Sequence, residues 1–138
     1  MKIEEQIVRE KMYNQDAFSQ WLGIEIVAIK KGSVELKLKI REEMTNGFNI
    51  AHGGIAFSLA DSALAFSSNT HNNQAVSVET SLGFSKPLHK GDVIRARSRE
   101  LQLSNKFGRY LIELTNQKDE SVAVFYGTVY RTGKKWIE

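Results

Sequence analysis

Residues 52–69 read HGGIAFSLADSALAFSSN, a small and apolar run that begins just after a histidine with two glycines. The run predicts a central helix over about residues 54–69. Asp61 is the single carboxylate in it, and no Lys or Arg lies within two helical turns on either side. A buried carboxylate without a partner is expensive, so such residues are tolerated mainly where they do chemistry or meet a charge from another part of the fold. The alternative is that Asp61 faces solvent as an ordinary polar residue.

The glycines at the predicted helix start, Gly53 and Gly54, allow two interpretations. They suit a tight turn that needs residues without a side chain. Alternatively, the unpaired N–H groups of a helix N-terminus would stabilise a developing negative charge, and a carbonyl oxygen could approach them where Cβ atoms are missing. Gly53 and Asp61 lie about 12 Å apart along a helix. If both act in one reaction, we expect them to come from different chains, with the site at a dimer interface.

Alternating apolar and polar residues predict six strands around the central helix. Their ranges are 24–30, 33–40, 76–85, 92–104, 108–116 and 121–131. A further helix is predicted over about residues 3–13. Short connectors after the central helix favour an antiparallel meander of the last four strands. The fold class is therefore α+β, a single domain over residues 1–138 in which one antiparallel sheet wraps around one long central helix.

Two of these strands alternate clearly enough to assign their faces. Strand 33–40 has four apolar side chains that are expected to face inward, namely Val34, Leu36, Leu38 and Ile40. Strand 76–85 has a more apolar set on one side, namely Val76, Val78, Thr80, Leu82 and Phe84. This alternation predicts that Ser77 lies on the polar side of its strand.

Composition excludes several classes of protein. The 138-residue chain has no cysteine, which excludes disulfides, thiolate catalysis and cysteine-based metal sites and suggests the cytoplasm. The net charge of +3 is scattered, so nucleic acid is not favoured, whereas a small phosphate-bearing ligand would fit. The charged start is unlike a signal peptide or membrane anchor, and no apolar run is long enough to span a bilayer.

Several catalytic motifs are absent from the sequence. The histidines, His52, His71 and His89, have no zinc-binding spacing, and His71 and His89 are interpreted as surface loop residues. No GxSxG elbow, GxGxxG loop or Walker loop occurs, which argues against a serine hydrolase triad and nucleotide-cofactor chemistry. The arginines at 95, 97 and 99 share one strand face, which is interpreted as a solvated surface.

The stretch NGFNIAHGGIAFSLAD (46–61) has the form N-x5-HGG-x6-D and resembles the hotdog-fold acyl-CoA thioesterases of the PaaI-type, phenylacetate-degradation branch. The run VETSLGFSKP (78–87), followed by GD (91–92), is also similar to that family, and the resemblance covers about residues 20–132. It implies a hotdog fold and hydrolysis of an acyl-CoA thioester without a metal or redox cofactor. It also implies a homo-oligomer in which a dimer builds the active site, and commonly a tetramer.

The resemblance also implies roles for individual residues. Asp61 would be the general base or nucleophile, and Gly53 of the partner chain would give the oxyanion N–H. His52 and Asn46 would orient or polarise the thioester, and Ser77 would position the attacking water. An Asp rather than a Glu favours a phenylacetate-like or fatty acyl group. An acyl-CoA dehydratase and a non-catalytic acyl-CoA-binding protein remain as alternatives.

Five further residues are candidates for contacts with the substrate. Gly54 is expected to lie beside the thioester because it has no Cβ atom. Four basic residues in or beside loops could flank the pocket mouth and bind the phosphates of CoA, namely Lys86, Lys90, Lys106 and Arg109.

Overall fold

The computed structural model describes residues 1–138 and has one long helix packed against a six-stranded sheet. The long helix, α3, spans Gly53–Ser68, one residue earlier at each end than predicted. The strands are β1 Glu25–Lys30, β2 Ser33–Lys39, β3 Ala75–Phe84, β4 Val93–Leu103, β5 Phe107–Thr115 and β6 Ser121–Arg131. The α+β prediction is therefore confirmed, with strand ends within a residue or so of the predicted ones.

Several short helical segments precede α3. Helix α1, Ile3–Gln6, continues into π-helical turns at Ile7–Met12 and a 3₁₀ turn at Tyr13–Gln15. Helix α2, Ala17–Leu22, follows, and a 3₁₀ turn at Glu42–Met44 lies between β2 and α3. No helix in the structure is both long enough and apolar enough to cross a membrane.

All neighbouring strands are antiparallel, in the order β1-β2-β4-β5-β6-β3. The predicted meander of the last four strands is wrong for its first member, because β3 pairs with β6 rather than with β4. Helix α3 contacts every strand from β2 to β6. At about 1.5 Å per residue, it is long enough to carry the chain across several strands spaced about 4.8 Å apart. The chain therefore enters β3 at the far edge of the sheet.

The core lies between α3 and the concave face of the sheet. The inward residues of β2 and its end are buried as predicted, with Val34, Leu36, Leu38 and Ile40 each at most 2% exposed. Helix α3 contributes Leu59, Leu64 and Phe66 to the same apolar cluster. Burial of this face, rather than helix propensity, accounts for most of the stability of such a helix.

Helix α3 packs tightly against β6 at Gly127. A Cβ atom added there would lie 2.6 Å from Cδ2 of Leu64, whose side chain is only 1% exposed. We expect Gly127→Ala to lower the free energy of unfolding by about 1–3 kcal/mol, because the packed core cannot move aside without strain. Urea unfolding at matched protein concentration measures this. Gly83→Ala in β3, where nothing lies within 4 Å, is the control. Equal stability of the two variants would contradict the prediction.

Candidate active site

His52 caps the start of α3, beside the two glycines. Its Nδ1 accepts a hydrogen bond from the Gly54 N–H at 3.3 Å, and its own backbone N–H donates to Met44 O at 2.7 Å. An accepting Nδ1 leaves Nε2 as the ring's donor. The Gly53 N–H donates to no acceptor in the protein. The helix start therefore presents one free backbone donor at Gly53, whereas the Gly54 donor is occupied.

Asn46 holds the loop that leads to α3. Its Oδ1 accepts hydrogen bonds from the N–H groups of Phe48 at 2.9 Å and Ile50 at 3.4 Å. This is the local backbone hydrogen bonding that gives Asn its preference for turns. The Nδ2 group of Asn46 has no hydrogen-bond partner in the structure. One end of the side chain thus fixes the loop, and the other is free to donate to a ligand.

These groups meet in one pocket of about 390 Å³. Asn46, His52 and Gly53 line it together with Phe84 and Lys86. The Phe84 ring faces the helix start, because a Cβ atom added to Gly53 would lie 3.2 Å from its Cζ. A side chain at position 53 would therefore crowd this ring. The structure brings together three of the residues that sequence reasoning assigned to the thioester.

Asp61 lies in the middle of α3, half-buried, and lines a second pocket of about 240 Å³. It has neither a hydrogen bond nor an ion pair. Burial raises the pKa of its carboxyl group, and the charge of Asp16 raises it further. Asp61 is therefore not a freely exposed surface residue, since it is half-buried and lines a cleft. Its other walls are formed by β3, β6 and the same face of α3.

Ser77 shares the pocket of Asp61, but not in the orientation that the sequence predicts. It pairs with Val129 in β6, which is 1% exposed and faces the core. Paired residues of neighbouring strands lie on the same face, so Ser77 points towards α3 and not to the polar side. The register shift between Ser77 and Glu79 is the reason, because a β-bulge at Val78 reverses the alternation.

The two halves of the predicted site lie in separate pockets of this chain. The pocket of Asn46, His52 and Gly53 shares no lining residue with the pocket of Asp61 and Ser77. Eight residues of α3 separate Gly53 from Asp61, which is about 12 Å along the helix axis. The geometry within one chain is therefore too wide for a single reacting carbonyl to contact both groups.

The four basic residues predicted to bind the CoA phosphates lie in different parts of the structure. Lys86 lines the pocket of Asn46 and forms a surface ion pair with Glu120 at 2.7 Å. Lys90 lies 4.0 Å from Glu42, outside both pockets. The Lys106 ammonium lies 5.9 Å from the centroid of the Tyr130 ring. Arg109 donates to Gln102 at 3.1 Å and lines a different groove, on the outer face of the sheet.

The structure changes the interpretation of one histidine and agrees with that of the arginines in β4. His71 is not an ordinary surface residue, because its side chain is 16% exposed and its Nε2 lies 2.6 Å from Glu100 Oε2. The charges of Arg95 and Arg97 lie at the sheet surface, where both pair with Glu35. Sequence reasoning also missed Asp16, although an Asp directly before an apolar helical turn is a typical helix-capping signal.

Comparisons with known proteins agree with this architecture. The family model of the thioesterase superfamily matches residues 48–123, which include α3 and most of the sheet. The acyl-coenzyme A thioesterase PaaI of Escherichia coli K12 is 34% identical over 122 residues, or 88% of this chain and 87% of that protein. The human acyl-coenzyme A thioesterase 13 is 28% identical over 103 residues, covering 72% of this chain and 74% of that protein.

Solved structures show the same fold. The E. coli PaaI protein from the phenylacetic acid degradation operon superposes with a TM-score of 0.92 at 31% identity, covering 97% of this chain and 99% of that one. Protein smu.793 of Streptococcus mutans UA159, bound to acetyl CoA, has a TM-score of 0.79 at 26% identity and covers 81% of this chain and 90% of that one. The chain therefore belongs to the thioesterase superfamily, and it is a thioester hydrolase of the PaaI-type hotdog branch.

Proposed function

We propose that this enzyme hydrolyses an acyl-CoA thioester whose acyl group is arylacetyl, hydroxylated phenylacetyl or fatty acyl. The observation that carries the proposal is Asp61, a half-buried carboxyl group in a cleft without a cationic partner. The name of the E. coli relative and the acetyl CoA in the S. mutans structure support CoA esters as the substrate class. Phenylacetate breakdown and a cytoplasmic location are part of the same proposal.

The chemistry follows from the groups in the two pockets. Asp61 accepts a proton from a water molecule as that water attacks the thioester carbonyl, or attacks the carbonyl itself. Ser77 positions the water, since it lines the same pocket. If water attacks, the acyl carbon becomes a free carboxylic acid as the C–S bond breaks, and the CoA thiolate leaves and takes up a proton. If Asp61 attacks, the acyl group passes to Asp61 as a mixed anhydride as the thiolate leaves, and a water molecule then hydrolyses the anhydride to the free acid and restores the carboxylate. The step as written requires no metal and no redox cofactor.

The carbonyl oxygen of the thioester is bound in the pocket of Asn46, His52 and Gly53. The free Gly53 N–H donates to the developing oxyanion, and the Asn46 Nδ2 group is a second donor in reach of the same pocket. His52 orients the thioester from the helix cap, where its Nε2 remains available. Gly54 leaves room for the thioester, although its N–H is already occupied by His52.

We further propose that the two pockets combine across a dimer, so that Asp61 of one chain meets Gly53 and Asn46 of another. The edge strand β3 supports this assembly. It has a partner on one side only, and it exposes Val76 and Val78 at 58% and 57%. Proteins avoid leaving such an apolar edge open, because an unpaired strand joins other chains. A tetramer built from two dimers is the assembly that we propose for the complete enzyme.

Lys86 is the basic residue best placed for a CoA phosphate, because it lines the pocket of Asn46. Its ion pair with Glu120 is exposed, at 49% and 40% for the two side chains. Exposed ion pairs of this kind contribute little to stability, so a phosphate group can replace Glu120 as the partner of the Lys86 ammonium. Lys90, Lys106 and Arg109 line neither of the two pockets, so they stay in the proposal only as CoA contacts outside these pockets.

A thiol-release assay over short, medium, long and arylacetyl CoA esters tests the proposal. We expect free CoA thiol and free acid in equal amounts, with at least one ester turned over faster than the rest. Formation of an enoyl-CoA without thiol release would instead show a dehydratase. Tight binding of CoA esters without any thiol release would show a non-catalytic binding protein, and either result would overturn the proposed hydrolysis.

A further inference from the structure

A buried chain of hydrogen bonds joins α2 to the turn of α3 that carries Asp61. Asp16 is the N-cap of α2, and its Oδ1 accepts the Ser19 N–H at 2.9 Å. Its Oδ2 accepts the Ser19 hydroxyl at 2.6 Å. The Ser19 hydroxyl oxygen in turn lies 2.8 Å from the hydroxyl oxygen of Ser62. Ser62 is the residue directly after Asp61 in α3.

The direction of these hydrogen bonds can be deduced. A hydroxyl group has one hydrogen to donate, and an ionised carboxylate only accepts. Ser19 therefore donates to Asp16, and Ser62 must donate to Ser19. Ser19 is fully buried and Ser62 is 8% exposed, so neither hydroxyl can replace this partner with bulk water. All the hydroxyl donors in this series of hydrogen bonds therefore point the same way, from Ser62 in α3 to Ser19 and from Ser19 to the Asp16 carboxylate.

The segment that carries Asp16 is fixed in place. The Tyr13 hydroxyl donates to the carbonyl oxygen of Ile24, and the Tyr13 ring packs edge-on against Phe66 in α3 with centroids 6.2 Å apart. Gln20 of α2 donates to the Tyr13 carbonyl oxygen at 2.8 Å. The carboxylate of Asp16 is therefore held at a constant position relative to α3.

Asp16 is also the charged group that acts on Asp61. Asp61 is the only ionisable residue that lines its pocket, and Asp16 lies outside it. The other lining residues are Leu64, Ala65 and Ser68 of α3, Ala75, Val76 and Ser77 of β3, and Val129 of β6. Burial and then the Asp16 charge raise the pKa of Asp61. A nearby like charge disfavours the ionised form of a carboxyl group. The same charge makes Asp61 a stronger base once it is ionised.

We propose that Asp16 is a positioning residue for the reaction: through Ser19 and Ser62 it fixes the turn of α3 that carries Asp61, and it holds a second negative charge beside the proton-accepting group. The inference rests on the proposed function, in which Asp61 is the reacting carboxylate. General bases act best when their proton affinity approaches the working pH, and an Asp in water is a weak base. The charge of Asp16 would make Asp61 a stronger base, and Asp16 itself would not contact the substrate.

The variant Asp16→Asn tests the inference because it removes the charge and keeps the cap. Asn is as good an N-cap as Asp, and its amide can donate to Ser19 so that the hydrogen-bond chain survives in reverse. Loss of a like charge lowers the pKa of Asp61, so the acidic limb of the kcat–pH profile is expected to move to lower pH. A purely structural role would lower kcat at every pH and leave the limb in place.

Two further variants keep the test decisive. Asp16→Ser also caps a helix and removes the same charge, so it must displace the limb in the same direction. Asp92→Asn is the charge-matched control, because the Asp92 carboxylate also accepts a backbone N–H, that of His89 at 2.8 Å, together with the Gln117 amide at 2.8 Å, and lines neither pocket. The acidic limb of the kcat–pH profile of Asp92→Asn is expected to coincide with that of the wild type.

The outcomes separate this inference from the proposed function. If Asp61→Asn loses hydrolysis but both Asp16 variants keep the wild-type limb, the role of Asp16 is overturned and the proposed function stands. The role is equally overturned if Asp92→Asn moves the limb as far as Asp16→Asn does. If Asp61→Asn retains full hydrolysis, the proposed function fails, and the role of Asp16 fails with it.

Discussion

Replacement of Asp61 by Asn is expected to lower kcat for CoA-ester hydrolysis by about 10²–10⁴-fold, the usual contribution of a positioned general base. The amide has nearly the shape of the carboxyl group but cannot accept the proton of the attacking water. The assay is thiol release at a saturating concentration of the best ester. Ser58→Ala on the same helix is a suitable control, because its hydroxyl donates only to the Gly54 carbonyl oxygen at 2.7 Å. Wild-type turnover in Asp61→Asn would exclude the proposed role.

The same variant is expected to be more stable than the wild type at neutral pH. The raised pKa of Asp61 means that the folded state binds this proton more tightly than the unfolded chain. The stability from this group is complete below the ordinary Asp value of about 3.9 and is lost as pH rises through the higher folded-state value. Asn carries no such penalty, so its advantage should grow with pH across that window. Thermal unfolding at a series of pH values measures it.

Gain of stability with loss of activity would distinguish a functional carboxylate from a structural one. A structural Asp is held by hydrogen bonds or cations, and its removal leaves partners unsatisfied. Asp61 has no such partner to leave behind. A variant that melts below the wild type at neutral pH would therefore show that an interaction of Asp61 in the assembled enzyme had been missed.

The second large effect is expected for Asn46→Asp, which should lower kcat by about 10²–10³-fold, as loss of one oxyanion donor does. The change keeps an oxygen that accepts the N–H groups of Phe48 and Ile50, so the loop is retained. It replaces the free amide donor with an oxygen that repels a developing oxyanion. The activity should fall without a change in oligomeric state, which size-exclusion chromatography measures.

Mixing the two inactive variants tests the shared site. If Asp61 and Asn46 act from different chains, a mixed dimer of Asp61→Asn and Asn46→Asp has one site with both changes and one site with neither. Refolding the two variants together in equal amounts should restore about a quarter of the wild-type activity, because about half of the dimers are mixed. Each variant refolded alone is the control. No recovery in the mixture would contradict a site built from two chains.

The elements of the fold were predictable, whereas their order in the sheet was not. Residues 33–40 alternate with a period of two, which by itself predicts a strand. The run of small apolar residues after Gly54 by itself predicts a helix. The partner of β3 depends instead on where α3 delivers the chain. The lengths of the connectors after α3 do not reveal which strand pairs with β3. A loop such as 85–92 is long enough to carry the chain back across the sheet.

The local sequence showed Asp61 to be an acid without a nearby counter-ion, and the resemblance of the motif at 46–61 to the hotdog thioesterases implied that Asn46, His52 and Gly53 form the second half of the site. Both signals are local, since neighbours along a helix or a turn are set by sequence spacing. The nature of the acyl group has no such local signal, because the pocket walls come from distant elements.

Two features of the site were decided only by the tertiary structure. Ser77 reaches the pocket of Asp61 because a bulge at Val78 reverses the side on which it points, and a bulge is fixed by the partner strand β6. Asp16 acts on Asp61 because α2 packs against α3 through Ser19 and Ser62. By itself the sequence placed an acid without a nearby cation in an apolar helix, and its resemblance to the hotdog thioesterases indicated the other candidate residues. Which of them meet was decided by strand pairing and helix packing, since those contacts join residues far apart in the chain.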